Sequence, residues 1–124
     1  MTEDRELDAK VATLMGWTDI RIMGGTLAGH PPDKNGWWPV LYYSINIAAA
    51  WTVVEWLRAQ KGSTLFTVTI SASDNYRCEI TCFIDGGPDW KICETADTAP
   101  RAICLAALKA EEHGRRLRDL AETK

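Results

Sequence analysis

The stretch "PVLYYSINIAAAWTVVEWL", residues 39–57, decides the fold, because an aromatic loop becomes an apolar helix within it. Ser44 or Asn46 can cap this helix, since either side chain accepts a hydrogen bond from a free N–H of the first turn. Apolar side chains then recur at helical spacing and form an arc wider than one packing face, with Trp51 expected in the core. The helix must therefore be covered on more than one side, by its own domain or by a partner.

The composition indicates one globular domain spanning residues 1–124, since 46% of the residues are hydrophobic and 25% are charged. A formal net charge of −3 argues against duplex nucleic acid as a partner, because such binders usually carry a basic excess. No apolar run approaches the roughly 20 residues that span a bilayer. The beginning "MTEDRELDAK" is too polar for a signal peptide. We therefore expect a cytoplasmic protein with reduced cysteines and no membrane contact.

The apolar periodicity predicts a short helix over residues 3–15 and a last helix over 97–114, begun by Asp97 or Thr98. Three alternating runs at 65–72, 76–84 and 90–94 predict an antiparallel meander with one apolar and one polar face.

Two other segments lack strong periodicity. Residues 24–43 read as a long aromatic loop, because glycine and proline punctuate them, and residues 113–124 read as a charged tail. Residues 17–23 give only a weak strand signal. The order of helix, long loop, helix, three strands and helix predicts an α+β domain.

Three segments are distinctive beyond their periodicity: "LDAKVATLMGW" (7–17), "YYSINIAAAWTVVEWL" (42–57) and "ETADTAPRAICLAALKA" (94–110). In them the sequence resembles the phage ABA sandwich domain family of small phage proteins. The resemblance implies a phage or prophage origin and a three-layer α/β/α sandwich with a small central sheet, but no particular activity. A sandwich covers both faces of its sheet, so either the first helix covers part of the polar face or that face is open.

A zinc site built from Cys78 and Cys82, completed by His30 and Cys93, is one reading of the cysteines. Strand alternation instead places Cys78 and Cys82 on the apolar face, where a free cysteine packs as a small apolar residue, and Cys93 on the opposite face. We therefore predict no metal and no other cofactor.

Catalytic motifs are also missing from the sequence. Neither His30 nor His113 falls in a recognisable catalytic motif, and no Gly-rich phosphate loop is present. We expect a protein that is not an enzyme. A small enzyme acting on a nucleotide is the third-ranked function.

The aromatic loop is the remaining candidate site. Its four large rings either plug one end of the core or in part face a ligand. Beside them lies a helix N-terminus, which favours anions, and arginines on the last helix and on the polar sheet face could hold phosphates. The predicted ligand-binding residues are Trp37, Trp38, Tyr42, Tyr43, Ser44, Asn46, Arg77, Thr98 and Arg101.

Aromatic faces and arginines suit a nucleotide, whose base stacks and whose phosphates pair with cations. With the phage resemblance, this predicts a counter-defence sponge that sequesters a nucleotide-derived immune signal in the cytoplasm of the infected bacterium. The alternative is a protein-interaction module that binds a host protein or assembles a homo-oligomer. The six tryptophans suit both functions, because Trp and Tyr dominate binding hot spots.

Overall fold

The computed structural model describes residues 2–59, 64–72, 75–84 and 90–122. The helices are α1 (Glu3–Leu14), α2 (Ile47–Arg58) and α3 (Ala99–Glu122). The strands are β1 (Thr18–Met23), β2 (Thr26–His30), β3 (Trp38–Pro39), β4 (Thr64–Ala72), β5 (Tyr76–Ile84) and β6 (Trp90–Ala96). The predicted α+β class is confirmed, since three helices combine with small antiparallel sheets.

The predicted meander forms one of two sheets, with strand order β4-β5-β6 and antiparallel pairing throughout. The other sheet has the order β1-β2-β3 and was not predicted beyond its weak first strand. Gly24 and Gly25 join β1 to β2 with φ values of +57° and +82°, the left-handed conformations that a two-residue hairpin turn requires. Part of the predicted long loop is therefore β-structure.

Helix α3 organises the packing, because it contacts β5 and β6 as well as α1 and α2, while α2 also contacts β4. Its small side chains Ala102, Ala106 and Ala107 are fully buried, which lets its backbone lie close to its neighbours. On β5, Cys78 and Ile80 are fully buried in the same core, as the strand alternation predicts.

The other face of the second sheet is polar. Arg77, Lys91 and Cys93 on it are exposed, and Glu79 forms ion pairs with Arg77 and Lys91. Helix α1 contacts α3 and β1. Of the two alternatives that the sequence left, the described side chains favour an open face; Leu65 and Phe83 lie outside the side chains that the structure describes.

Two predictions need correction. Trp51, expected in the core, has a side chain that is 46% exposed, because α2 buries Ala50, Val53 and Val54 on another side. Helix α3 does not end near Gly114 but continues to Glu122, through most of the predicted tail. One interior glycine costs a helix only about 1 kcal/mol, and the surrounding Glu, Arg and Leu residues are strong helix formers.

Candidate ligand-binding pocket

The segment before α2 is held in place by α1. Asp8 is fully buried, and its carboxylate accepts hydrogen bonds from the Ser44 N–H at 2.8 Å and from Arg5 Nη1 at 2.7 Å. Arg5 also donates to the carbonyl oxygens of Val40 (3.0 Å) and Leu41 (3.3 Å). The backbone of residues 40–44 is therefore fixed from one side by an ion pair.

This anchored segment forms one wall of a pocket of about 410 Å³. The end of α1, the loop before β3 and one side of α2 form the others. The lining is mostly aromatic and apolar: Met15, Trp17, Pro31, Pro32, Asp33, Lys34, Trp38, Pro39, Leu41, Tyr43, Thr52 and Trp56. The volume lies within the range of about 300–1,000 Å³ that small-molecule sites have.

Tyr43 closes the inner side of the pocket. Its side chain is buried, with 2% exposed, and forms a hydrogen bond with the side chain of Trp17. Burial raises the pKa of Tyr43 above its ordinary value of 10.0. The phenol therefore stays protonated at neutral pH and can serve as a hydrogen-bond donor or acceptor, but not as a base.

Trp38 stands at the mouth, where 43% of its side chain is exposed. Its indole N–H donates to the Asn35 carbonyl oxygen at 2.9 Å, and Lys34 Nζ lies 4.3 Å from its ring centroid. One backbone bond and one cation–π contact thus orient an exposed ring beside a positive charge.

Trp37 lies outside the pocket lining, in a cluster on the first sheet. Its ring centroid is 4.1 Å from that of His30, and the guanidinium of Arg21 lies 5.0 Å from it. His30 Nδ1 is 2.9 Å from the Gly36 carbonyl oxygen, so Nδ1 carries the proton, because a carbonyl can only accept. Trp37 and Trp38, although adjacent in the sequence, therefore contact different parts of the protein.

Of the nine predicted site residues, only Trp38 and Tyr43 line the pocket. Tyr42 is exposed under the guanidinium of Arg5, 4.0 Å from its centroid. Ser44 is buried and donates from Oγ to the Asp4 carbonyl oxygen. Asn46, one of the two predicted caps, begins α2 and accepts a hydrogen bond from the Ala49 N–H at 3.1 Å.

The predicted arginines lie elsewhere. Arg101 pairs with Glu3 and Asp4 in the first turn of α1, whereas the pocket is lined by Met15 and Trp17 beyond its last turn. The hydrogen bond with Glu3 raises the pKa of Arg101 above its ordinary value. Arg77 is on the polar sheet face, and Thr98 is exposed just before α3. The structure therefore does not gather the nine residues into one site.

The chain can now be compared with known families. The model of the phage ABA sandwich domain matches residues 9–108, which include every residue of the pocket lining. The chain belongs to this family. The name of the phage ABA sandwich domain family gives an origin and a layered fold, and it states no activity. The chain matches no curated protein and no solved structure at a significant level.

The described residues of this phage ABA sandwich chain show neither a metal site nor a membrane-spanning helix. Within the described residues, no three His, Cys, Asp or Glu side chains are close enough to hold a metal ion. Cys78 and Cys93 lie on opposite faces of the sheet, and the side chain of Cys82 lies outside the described residues. No helix in the described part of the chain is long and apolar enough to cross a membrane.

Several pocket residues were missed by the sequence analysis, chiefly Trp17, Lys34 and Trp56. Trp56 stands four positions after Thr52, so the two share one side of α2 and face the pocket together. The four-residue spacing can be read from the sequence, but apolar residues occur all along α2, so Trp56 could be taken as part of the apolar arc. Nothing local marks Trp17, which reaches the pocket only because α1 ends beside the aromatic loop.

Proposed function

We propose that this protein binds a nucleotide-derived bacterial immune signal and sequesters it in the cytoplasm of the infected cell. The observation that carries the proposal is the pocket of about 410 Å³, in which three tryptophans and one tyrosine surround a space beside Lys34. Membership of a phage family supports the setting, since a phage gains from removing a signal that would activate host defence.

The lining suits a base more than a flexible apolar ligand. Nucleobases are flat and stack on aromatic side chains, each stack contributing about 1–3 kcal/mol of binding free energy. Trp38 is already oriented by the bond to Asn35, so little rotational freedom is lost when a base stacks on it. The proposed role of Trp38, with Trp17 and Trp56, is to hold one base of the ligand.

Lys34 is the cationic side chain of the pocket lining. In this proposal it binds the phosphate, the role that the sequence analysis gave to two arginines. Arg101 is engaged with two carboxylates of α1, and Arg77 lies on the sheet face beside Glu79. Lys34 is exposed at the mouth and contacts a ring rather than a carboxylate. This position supports the proposal that its ammonium meets a phosphate while the base occupies the pocket.

Sequestration requires no reaction at the ligand, and the lining fits that role. Its titratable side chains are Asp33, Lys34 and Tyr43. Burial raises the pKa of Tyr43, so its phenol is not a general base at neutral pH. We propose that the ligand leaves unchanged.

The test is a binding panel of cyclic dinucleotides, cyclic trinucleotides and ADP-ribose isomers. We expect at least one compound to be retained and to be recovered intact after heating. Trp38→Ala should weaken its binding about fivefold or more, because a stack contributes about 1–3 kcal/mol. The matched control is Trp37→Ala, which removes the adjacent exposed ring outside the pocket and should leave the affinity within about twofold.

Two outcomes would contradict the proposal. One is that no compound of the panel binds while a bacterial protein co-purifies, which would favour an interaction module. The other is recovery of a chemically changed compound, which would indicate an enzyme.

A further inference from the structure

We propose that an exposed apolar surface around the start of α2 is a homodimer interface, covered by a second copy of this chain. The surface consists of Leu41, Tyr42, Ile45, Ile47 and Trp51, whose side chains are 45–59% exposed. This inference does not depend on the pocket having a ligand.

The five side chains belong to one continuous region. The N–H groups of Ile45 and Asn46 both donate to the Tyr42 carbonyl oxygen, so the chain turns tightly and brings Tyr42 beside the start of α2. Ile47 and Trp51 follow at helical spacing and share one side of α2. That side adjoins the one that buries Ala50, Val53 and Val54 in the core.

The apolar side chains of the surface suit a second copy as the partner. No residue from 40 to 54 is charged, although a quarter of the whole chain is. A two-fold axis brings a surface against its own copy, so any charge near the axis would meet a like charge, whereas apolar side chains meet no such penalty. Charges lie at the border of the surface, where the guanidinium of Arg5 covers the ring of Tyr42 and exposed Glu55 follows Trp51 by one turn.

The size of the surface approaches the lower limit for a stable dimer. Five large side chains, each about half exposed, present on the order of 500 Å². Small stable interfaces bury roughly 600–800 Å² on each partner. The neighbouring Ala48 is exposed on α2 and extends the surface toward that range.

A small residue also suggests how two copies meet. Ala48 lies about one turn before Trp51 on α2 and leaves space that a large ring can enter. Two antiparallel α2 helices would place Trp51 of each copy beside Ala48 of the other. Such an arrangement buries both tryptophans that a monomer leaves half exposed.

The test measures the mass in solution by light scattering at micromolar concentration. We expect twice the chain mass of 13.8 kDa for the unchanged protein. Trp51→Lys should shift the mass to that of one chain, because the lysine would bury a charge in an apolar interface. Trp51 does not line the pocket, so its replacement tests this surface alone.

Two further variants complete the test. Ile47→Lys, on the same side of α2, should also give single chains, so the result does not rest on one variant remaining folded. Ile22→Lys is the matched control, since Ile22 is 55% exposed on the first sheet and should leave the dimer intact. A mass of 13.8 kDa for the unchanged protein, or a dimer that persists in both α2 variants, would overturn the proposal.

Discussion

Asp8 and Arg5 of α1 together hold the aromatic segment in place. The Asp8 carboxylate is fully buried and holds both the Ser44 N–H and the Arg5 guanidinium, which in turn holds Val40 and Leu41. A buried charge is stable only while its partners remain, because desolvation of an unpaired ion is costly. The position of the pocket wall therefore depends on one carboxylate of α1.

Asp8→Ala is expected to lower the free energy of unfolding by about 3 kcal/mol. The substitution leaves the Ser44 N–H without its acceptor and the half-buried Arg5 without its counter-ion. Urea unfolding followed by circular dichroism measures the change. Lys10→Ala, an exposed change on the same helix, is the control and should stay within about 0.5 kcal/mol. A loss for Asp8→Ala no larger than the control would contradict the role of this carboxylate.

The secondary elements differ in how far the sequence predicted them. The three helices have strong apolar periodicity and clear starts, so their existence and the Asn46 cap follow from local chemistry. The first sheet has weaker signals, because β3 is a two-residue strand containing Pro39 and β2 contains Gly29. Its one clear signal, the pair Gly24-Gly25, is a hairpin turn that the surrounding glycines and prolines obscured.

The site was predicted only in part, for a related reason. Aromatic crowding drew attention to Trp38, which lines the pocket, but pocket lining depends on which elements meet in three dimensions. Arg101 has the right chemistry for a phosphate, yet α1 and α3 pack together and give it carboxylate partners. Sequence spacing cannot predict such pairing, because the two residues of the pair Asp4–Arg101 are 97 positions apart.

At the scale of the whole molecule, the buried thiols make stability depend on alkaline pH. Burial raises the pKa of Cys78 and of Cys104 from 9.0 to about 12. Below pH 9 the two thiols are protonated in both the folded and the unfolded chain. They therefore add no pH dependence to the free energy of unfolding. Between pH 9 and 12 the unfolded chain loses protons that the folded protein keeps, so stability falls as the pH rises.

Each such thiol should lower the free energy of unfolding by about 1.4 kcal/mol per pH unit in that window. Cys104→Ala should therefore make the loss of stability between pH 9.5 and 11 less steep by that amount, measured by urea unfolding at several pH values. Cys93→Ala, which removes an exposed thiol, is the control and should leave the steepness unchanged. Equal slopes for the Cys104 variant and the unchanged protein would contradict the prediction.

The central claim, that the aromatic pocket captures a nucleotide-derived signal, is tested most directly by native mass spectrometry of the protein purified from infected bacteria. The unchanged protein should carry an added mass that heating releases as an intact nucleotide-derived compound. Trp38→Ala protein, purified in parallel, should carry much less of it. Unchanged protein without any bound small molecule, or an equal load on the Trp38 variant, would contradict capture by this pocket.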